Sequence, residues 1–345
     1  MVHQVKPSGA WLTINRACNL RCKWCYAEET GYQPKAMMSL ELAKNLVNLL
    51  KDLGISHTQL IGGEPTLWPN LLELNRLTNQ LGMKTTIVTN ALRFGEDAFW
   101  EEYKQNPNSS VGISVKASDS LDLLKMAGSK HFSRLSLGLK RALEFFQCGV
   151  GLTYNTFYTE KLKDLARFAI DSGAKSIKID FCSTVFESGK AVSDYMVEPR
   201  ELVTNIMRDY DTLVEITGGK LVFEMNMPLC LWPSEFIQHL IKQNRITSVC
   251  HVQKRQGIIF DTDGRVLICN GLFDYPLGKY GEEFDSTSSL LNFLNQQEIG
   301  EYYAQINSLP SMKCQSCQIY SQCGGGCPLK WAVYDPDKII PGYQS

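Results

Sequence analysis

Cysteine spacing carries the most chemical information in this chain. The segment Cys18-Asn-Leu-Arg-Cys22-Lys-Trp-Cys25 presents three thiols, with an aromatic just before the last, directly after a short apolar run. Three thiolates on a four-iron cube leave one iron open, which is the arrangement needed when a cofactor must bind iron directly and take an electron from it. A zinc site or an ordinary electron-transfer cluster normally closes with a fourth protein ligand. Further along, Gly62-Gly63-Glu64-Pro65 ends an apolar run. Two glycines let a ligand approach the backbone, and the acid suits an ammonium group. Alone, this tetrapeptide reads as a turn with an exposed acid.

A second group of thiols follows near the carboxyl end: Cys314 and Cys317, then Cys323-Gly-Gly-Gly-Cys327, with Cys250 and Cys269 upstream on either side of Gly264. A single CxxC is equally consistent with a zinc ribbon. The three glycines allow the chain to fold tightly around bulky sulfides. Of the 12 cysteines, Cys230 lies before this group in Met-Pro-Leu-Cys-Leu-Trp, and Cys148 and Cys182 stand outside such spacings. Cys148 ends a helical pattern and reads as core; Cys182 follows a strand and reads as a buried structural thiol, with a pocket-facing role as the alternative. In a large chain without an export signal, metal is a better reading of clustered cysteines than disulfides.

These residues need a scaffold, and the hydrophobic pattern supplies one. Short β-branched runs at 10–15, 57–61, 84–89, 111–115, 150–156 and 176–181 alternate with helical patterns at 39–53, 69–81, 119–127, 132–147 and 160–172. That rhythm predicts an α/β fold with a parallel sheet, and six strands are too few to close an eight-stranded barrel, so a partial (β/α)6 TIM-like barrel is expected over 10–185 after an N-terminal segment 1–9. Ser188-Gly-Lys leads into a helix begun by Pro199, giving a bridging region 186–229. Residues 230–335 form a small cysteine-rich domain in which 258–269 reads as a β-hairpin turned at Asp263-Gly264, followed by a tail 336–345.

Lys and Arg total 35 against 36 Asp and Glu, with no basic run, so nucleic acid is not an expected partner. No apolar stretch of about 18 residues suggests a membrane span, and Met1 to Gly9 lack a signal-peptide core, so a cytoplasmic location is expected.

The cysteine loop with Trp24 inside it, in register with Gly62 to Pro65, resembles the signature of radical S-adenosylmethionine (SAM) enzymes, and the later cysteines resemble their SPASM extension, over about residues 10 to 335. The resemblance implies that Cys18, Cys22 and Cys25 hold a [4Fe–4S] cluster. It implies that Gly62, Gly63, Glu64 and Pro65 meet the methionine moiety of SAM. It places Ser114 and Lys116 near the ribose or carboxylate, and Asn155 with Thr156 beside the same cofactor. Trp24 and Tyr26 would lie near the adenine or simply shield the cluster.

By the same resemblance, Cys230, Cys250, Cys269 and Cys327 would hold one auxiliary cluster, and Cys314, Cys317 and Cys323 a second. The family's last cysteine is missing, so Asp335, Asp337 or an exogenous ligand would complete the second cluster, or it would stay open or be absent. Asn270 stands where sulfatase-maturing relatives carry a basic aspartate, leaving Asp274 as the nearby candidate. His251 reads as a packing residue rather than a ligand or proton donor, and Tyr275 and Tyr280 as local packing rather than a channel. The implied activity is reductive cleavage of SAM to a 5'-deoxyadenosyl radical, which takes hydrogen from a peptide or protein substrate, as in maturases of ribosomally made peptides. Cross-linking, thioether formation, backbone excision or another oxidation would follow. With nine residues before the first strand, a leader peptide would need a separate recognition protein, and an external donor must supply electrons. A tetrapyrrole-modifying relative and a zinc-binding adaptor are the alternatives; the adaptor leaves Gly62 to Pro65 unexplained.

Overall fold

The computed structural model describes residues 5–25, 35–248 and 250–341, without the side chains of Glu187 and Val252; Tyr26 lies outside the described residues. Six parallel strands are laid down in sequence order: β1 (Gly9–Asn15), β2 (His57–Gly62), β3 (Lys84–Thr89), β4 (Ser110–Ser114), β5 (Val150–Tyr154) and β6 (Ile177–Phe181). The crossovers contain α1 (Leu40–Asp52), α2 (Leu71–Gln80), α3 (Asp97–Tyr103), α4 (Ser120–Ala127), α5 (Phe132–Phe146) and α6 (Leu162–Asp171). Local chemistry explains the helix ends. Ser39 caps α1 by accepting from Leu42 N at 3.1 Å, Asp119 caps α4, and Gly128 ends α4 in the left-handed conformation that glycine adopts without strain.

Register defines two faces. Leu12, Leu60 and Ile87 align across β1 to β3, and Leu152, Ile179 and Phe223 align further on; all are essentially inaccessible and join the helices in one core. Of the alternate positions, Ser114, Thr153, Asp180 and Glu224 are polar and less buried, whereas Trp11, Ile61 and Val88 are apolar. A sheet with an apolar face beneath helices and a polar face opposite is a platform for chemistry on its open side.

Beyond β6 come strands that were not expected, the first two forming a small sheet of their own. A short hairpin, β7 (Val185–Glu187) and β8 (Lys190–Val192), turns at Ser188 and Gly189, both with positive φ, as a two-residue turn of this hand requires. The predicted Pro199 helix is α7 (Pro199–Thr217). It leads to β9 (Leu221–Glu224), parallel to β6, and β10 (Ile246–Thr247), parallel to β9. Strands of four and two residues are too short to show a period.

On the opposite edge, β11 (Gly257–Phe260) pairs in parallel with β1, from Gly9↔Gly257 to Leu12↔Phe260. It turns back through β12 (Arg265–Leu267), and β13 (Pro276–Lys279) follows. The predicted hairpin is therefore present, with Gly264 at φ 87° in its turn, but it belongs to the same eleven-stranded sheet as the barrel strands. Strands β1 and β6 do not pair, so the sheet stays open. Among the described residues no helix is long and apolar enough to cross a membrane.

Candidate active site

The Cys18–Cys25 loop leaves the end of β1 and is pinned by its backbone. Arg21 N and Lys23 N donate to Ala127 O and Met126 O at the end of α4, and Cys25 N closes a turn onto Cys22 O at 2.9 Å. Gly62 and Gly63 make this seating possible. A Cβ at Gly62 would lie 2.3 Å from Asn15 O, and one at Gly63 would lie 2.4 Å from Arg16 O and Ala17 O. The glycines thus admit the chain that carries the cysteines, a closer requirement than ligand access.

Glu64 is 1% exposed, so it is not the exposed acid that the isolated motif suggests. Thr66 Oγ1 and Thr89 Oγ1 donate to its Oε1, both at 2.6 Å, and Asn90 N donates to Oε2 at 2.8 Å. Burial raises its pKa, opposed by these hydrogen bonds. No Lys or Arg among the described residues pairs with it. The Cys18 thiol is pushed up to about 12 by burial, then by Glu64, Cys22 and Cys25. An acid and three thiols collected in one buried place favour the arrival of cations, an iron–sulfur core at the thiols and an ammonium at the acid. The residues present fit such a pair. Pro65 opens a short 3₁₀ turn that Glu64 itself caps.

Asn90 was missed by the sequence reading. Its side chain donates to Asn19 Oδ1 at 2.8 Å and reaches Cys18 Sγ at 4.0 Å, linking Glu64 to the cysteine loop. Its position directly after β3 was the only available signal. Ser114 accepts from Lys116 Nζ at 2.6 Å, and that ammonium stands 6.0 Å over the Trp24 ring. Trp24 is buried edge-on against Tyr158, centroids 5.1 Å apart. Asn155 lies at the end of β5 with its amide used locally: Nδ2 donates to Thr153 O at 3.0 Å, and Oδ1 accepts from Phe157 N at 2.9 Å.

The carboxyl-terminal cysteines lie in two neighbourhoods. Cys250, Cys269 and Cys327 line one cavity of about 320 Å³ together with Trp11, Glu224, Asn226 and Asn270. Gln253 holds this set in place by donating to Gly324 O at 2.7 Å and Gly326 O at 3.0 Å. Gly324, Gly325 and Gly326 all have positive φ, and a Cβ at Gly325 would lie 2.5 Å from Pro310. Cys230, expected with this set, does not line that cavity; burial raises its thiol to about 12, followed by Cys323, Cys314 and Cys317. Next to it, Leu229 N donates to Cys323 Sγ at 3.3 Å.

The expected substitutes for the missing cysteine make hydrogen bonds of their own. Asp335 caps the short helix Pro336–Ile339, and Asp337 accepts from Ser311 Oγ at 2.7 Å. Asp274 is exposed and accepts from Ser188 N at 2.9 Å, beside a separate shallow cavity shared with Tyr275 and Tyr302. His251 packs edge-on against Trp11 at 4.8 Å. Tyr280 packs against Phe284.

Two further groups were not anticipated. Lys330 is 2% exposed and donates to Cys182 O at 2.9 Å; burial lowers its pKa against the pull of Cys327, Cys182 and Asp180. Arg16, two residues before Cys18, pairs with fully buried Asp261 at 2.7 Å and lies 3.8 Å over the Phe273 ring. Arg265 takes the other oxygen of Asp261 at 2.9 Å. Among the described residues no three His, Cys, Asp or Glu side chains converge on a single metal ion. A cube that offers a separate iron to each thiolate does not require them to.

Residues 12–169 match the model of the radical SAM superfamily. Over 139 residues the chain is 29% identical to GTP 3',8-cyclase of Mannheimia succiniciproducens, covering 39% of this chain and 40% of that protein. Over 169 residues it is 28% identical to the S-adenosylmethionine-dependent nucleotide dehydratase of Flammeovirga pacifica, covering 47% and 58%. The chain thus aligns with only about half the length of these relatives. Native anSMEcpe with bound AdoMet superposes with a TM-score of 0.69 at 16% identity, covering 93% of this chain and 89% of that one. SuiB of Streptococcus suis bound to S-adenosylmethionine gives 0.64 at 20% identity, covering 96% and 76%. Residues 12–169 are a radical SAM domain.

Proposed function

We propose that the protein is a peptide-modifying radical SAM enzyme of the SPASM type, a maturase acting on a peptide or protein. One observation carries this reading: the fold likeness extends across the cysteine-rich half as well as the SAM domain. It covers 98% of this chain against SuiB bound to precursor peptide SuiA and 93% against anSMEcpe with AdoMet and the Kp18Cys peptide. A SAM domain alone does not specify a substrate, because sites are grafted onto shared folds.

In this reading Cys18, Cys22 and Cys25 hold the cluster, and Glu64 receives the ammonium of SAM. Gly62, Gly63 and Pro65 shape the approach, and Ser114, Asn155 and Trp24 border the cofactor. Bound together, the reduced cluster and SAM supply hydrogen-atom abstraction. The chain's own residues orient the cofactor and exclude water: Trp24 and Tyr158 cover the loop, and the Ser114–Lys116 pair offers polar groups on the open face of the sheet. The remaining cysteines hold one or two auxiliary clusters, suited to removing an electron from a substrate radical. An external electron donor and a cytoplasmic location complete the proposal.

A nucleotide substrate is the second reading, favoured by the names of the sequence relatives, whose identity is confined to 39–47% of the chain. Release of 5'-deoxyadenosine under dithionite, measured with a mixed peptide library and separately with GTP and CTP, decides between them. Stimulation by peptide with a mass change in the peptide is expected. Stimulation by a nucleotide alone, with a nucleotide product, would replace the peptide reading.

A further inference from the structure

We propose that Cys230, Cys314, Cys317 and Cys323 close one auxiliary cluster with four thiolates, whereas Cys250, Cys269 and Cys327 hold the other with one iron open to the cavity. This rests on the auxiliary-cluster reading above and deepens it, because it names which cluster can take an exogenous ligand.

The argument begins with the chain path. Leu229 to Leu231 form a single 3₁₀ turn, and the first amide of that turn donates to Cys323 Sγ at 3.3 Å. The turn that carries Cys230 is therefore docked on a sulfur of the later set. Cys317 N closes onto Cys314 O at 3.2 Å, and Cys323 N onto Ile319 O at 2.9 Å, so two consecutive turns present these three thiols. Asp335 and Asp337, the other candidates for a fourth ligand, are committed to a helix cap and to Ser311. Cys230 does what a cysteine after Cys327 would have done.

Transfer of Cys230 leaves the other set one ligand short, and it is this set that lines the cavity of about 320 Å³. Asn226 borders the same space. Its Nδ2 is used by Phe181 O at 2.6 Å and Ser183 Oγ at 2.9 Å, but its buried Oδ1 has no hydrogen-bond partner among the described residues. A buried acceptor without a donor is costly. A ligand entering this cavity would meet the open position, and an amine or hydroxyl has the lone pair to fill it.

The test uses the full chain with Cys18, Cys22 and Cys25 replaced by Ala, so that only auxiliary clusters remain. About eight irons are expected after anaerobic reconstitution, as for two four-iron centres. In the reduced protein, ¹³C-cyanide should split the electron paramagnetic resonance signal of one cluster only. Adding Cys314/Cys317/Cys323→Ala should keep the split signal. Adding Cys250/Cys269/Cys327→Ala should leave an unsplit one that becomes cyanide-sensitive when Cys230→Ala is introduced. If either set of replacements prevents folding, Cys230→Ala alone decides, by creating a second split signal. The reverse pattern, or a Cys230→Ala protein indistinguishable from its parent, overturns the assignment while leaving auxiliary clusters in place. A parent without iron overturns the auxiliary-cluster reading and this inference together.

Discussion

Glu64 shows how one side chain can serve structure and chemistry together. Its carboxylate joins the ends of β2 and β3 through Thr66, Thr89 and Asn90 N, yet it is buried without a counter-charge among the described residues, which suits a cationic ligand. Glu64→Gln keeps the shape but puts an amide N–H₂ against donors already pointing inward. The expected cost is about 1–3 kcal/mol of stability, read from urea unfolding of the metal-free protein. In iron-loaded protein the SAM affinity should fall at least about tenfold, the effect of losing about 1.4 kcal/mol of charge pairing. Unchanged affinity with reduced stability would show a purely structural acid. Sequence reading found the motif, but not the reason for Gly62 and Gly63, whose missing Cβ atoms make room for backbone from the strand before.

At the scale of elements, the β11–β12 hairpin is held to the cysteine loop by charge as well as by strand pairing. Arg16 and Asp261 are both buried, and Phe273 lies beneath Arg16 and Arg265, 3.8 and 5.1 Å from the two guanidinium carbons. Breaking a buried pair on one side strands the other charge, so Asp261→Ala should cost about 3–5 kcal/mol. The double replacement Arg16→Met with Asp261→Leu should recover most of that loss, since an apolar pair of similar volume avoids the desolvation cost. A double-mutant cycle in urea measures the coupling, and additive losses would show that the two side chains act independently. Nothing in the local sequence of either residue announces this pair, because 245 positions separate them.

For the molecule as a whole, the decisive feature is that β11 lies against β1 in the same sheet as the SAM domain. A fragment ending at residue 229 would leave the long inner strand β1 with an unpaired edge, and exposed edges of buried strands associate. Such a fragment is expected to aggregate or lose fixed tertiary packing, measured by size-exclusion chromatography and near-ultraviolet circular dichroism. A monomeric fragment with native-like dichroism would instead mark the two parts as independently folding units. The order of elements from β1 to β6 was legible because each strand and helix carries its own period, whereas β9, β10 and the β7–β8 hairpin are too short to carry one.

What the sequence determined by itself is therefore local: the strands and helices of the SAM domain, the three-thiol loop, the Gly-Gly-Glu-Pro turn, and the hairpin around Gly264. These follow from periodicity and from residue types a few positions apart. Tertiary structure decided which distant groups meet. It docked the turn that carries Cys230 onto Cys323, engaged Asp335 in a helix cap, Asp337 with Ser311 and Asp274 with Ser188 N, and buried Lys330 beside Cys182. The reason is that a thiol's spacing along the chain constrains its neighbours only within a turn or two, while the choice between two cysteine sets depends on how the 229–231 turn docks. That docking follows from packing and from one amide on a sulfur, neither of which leaves a pattern in the order of the residues.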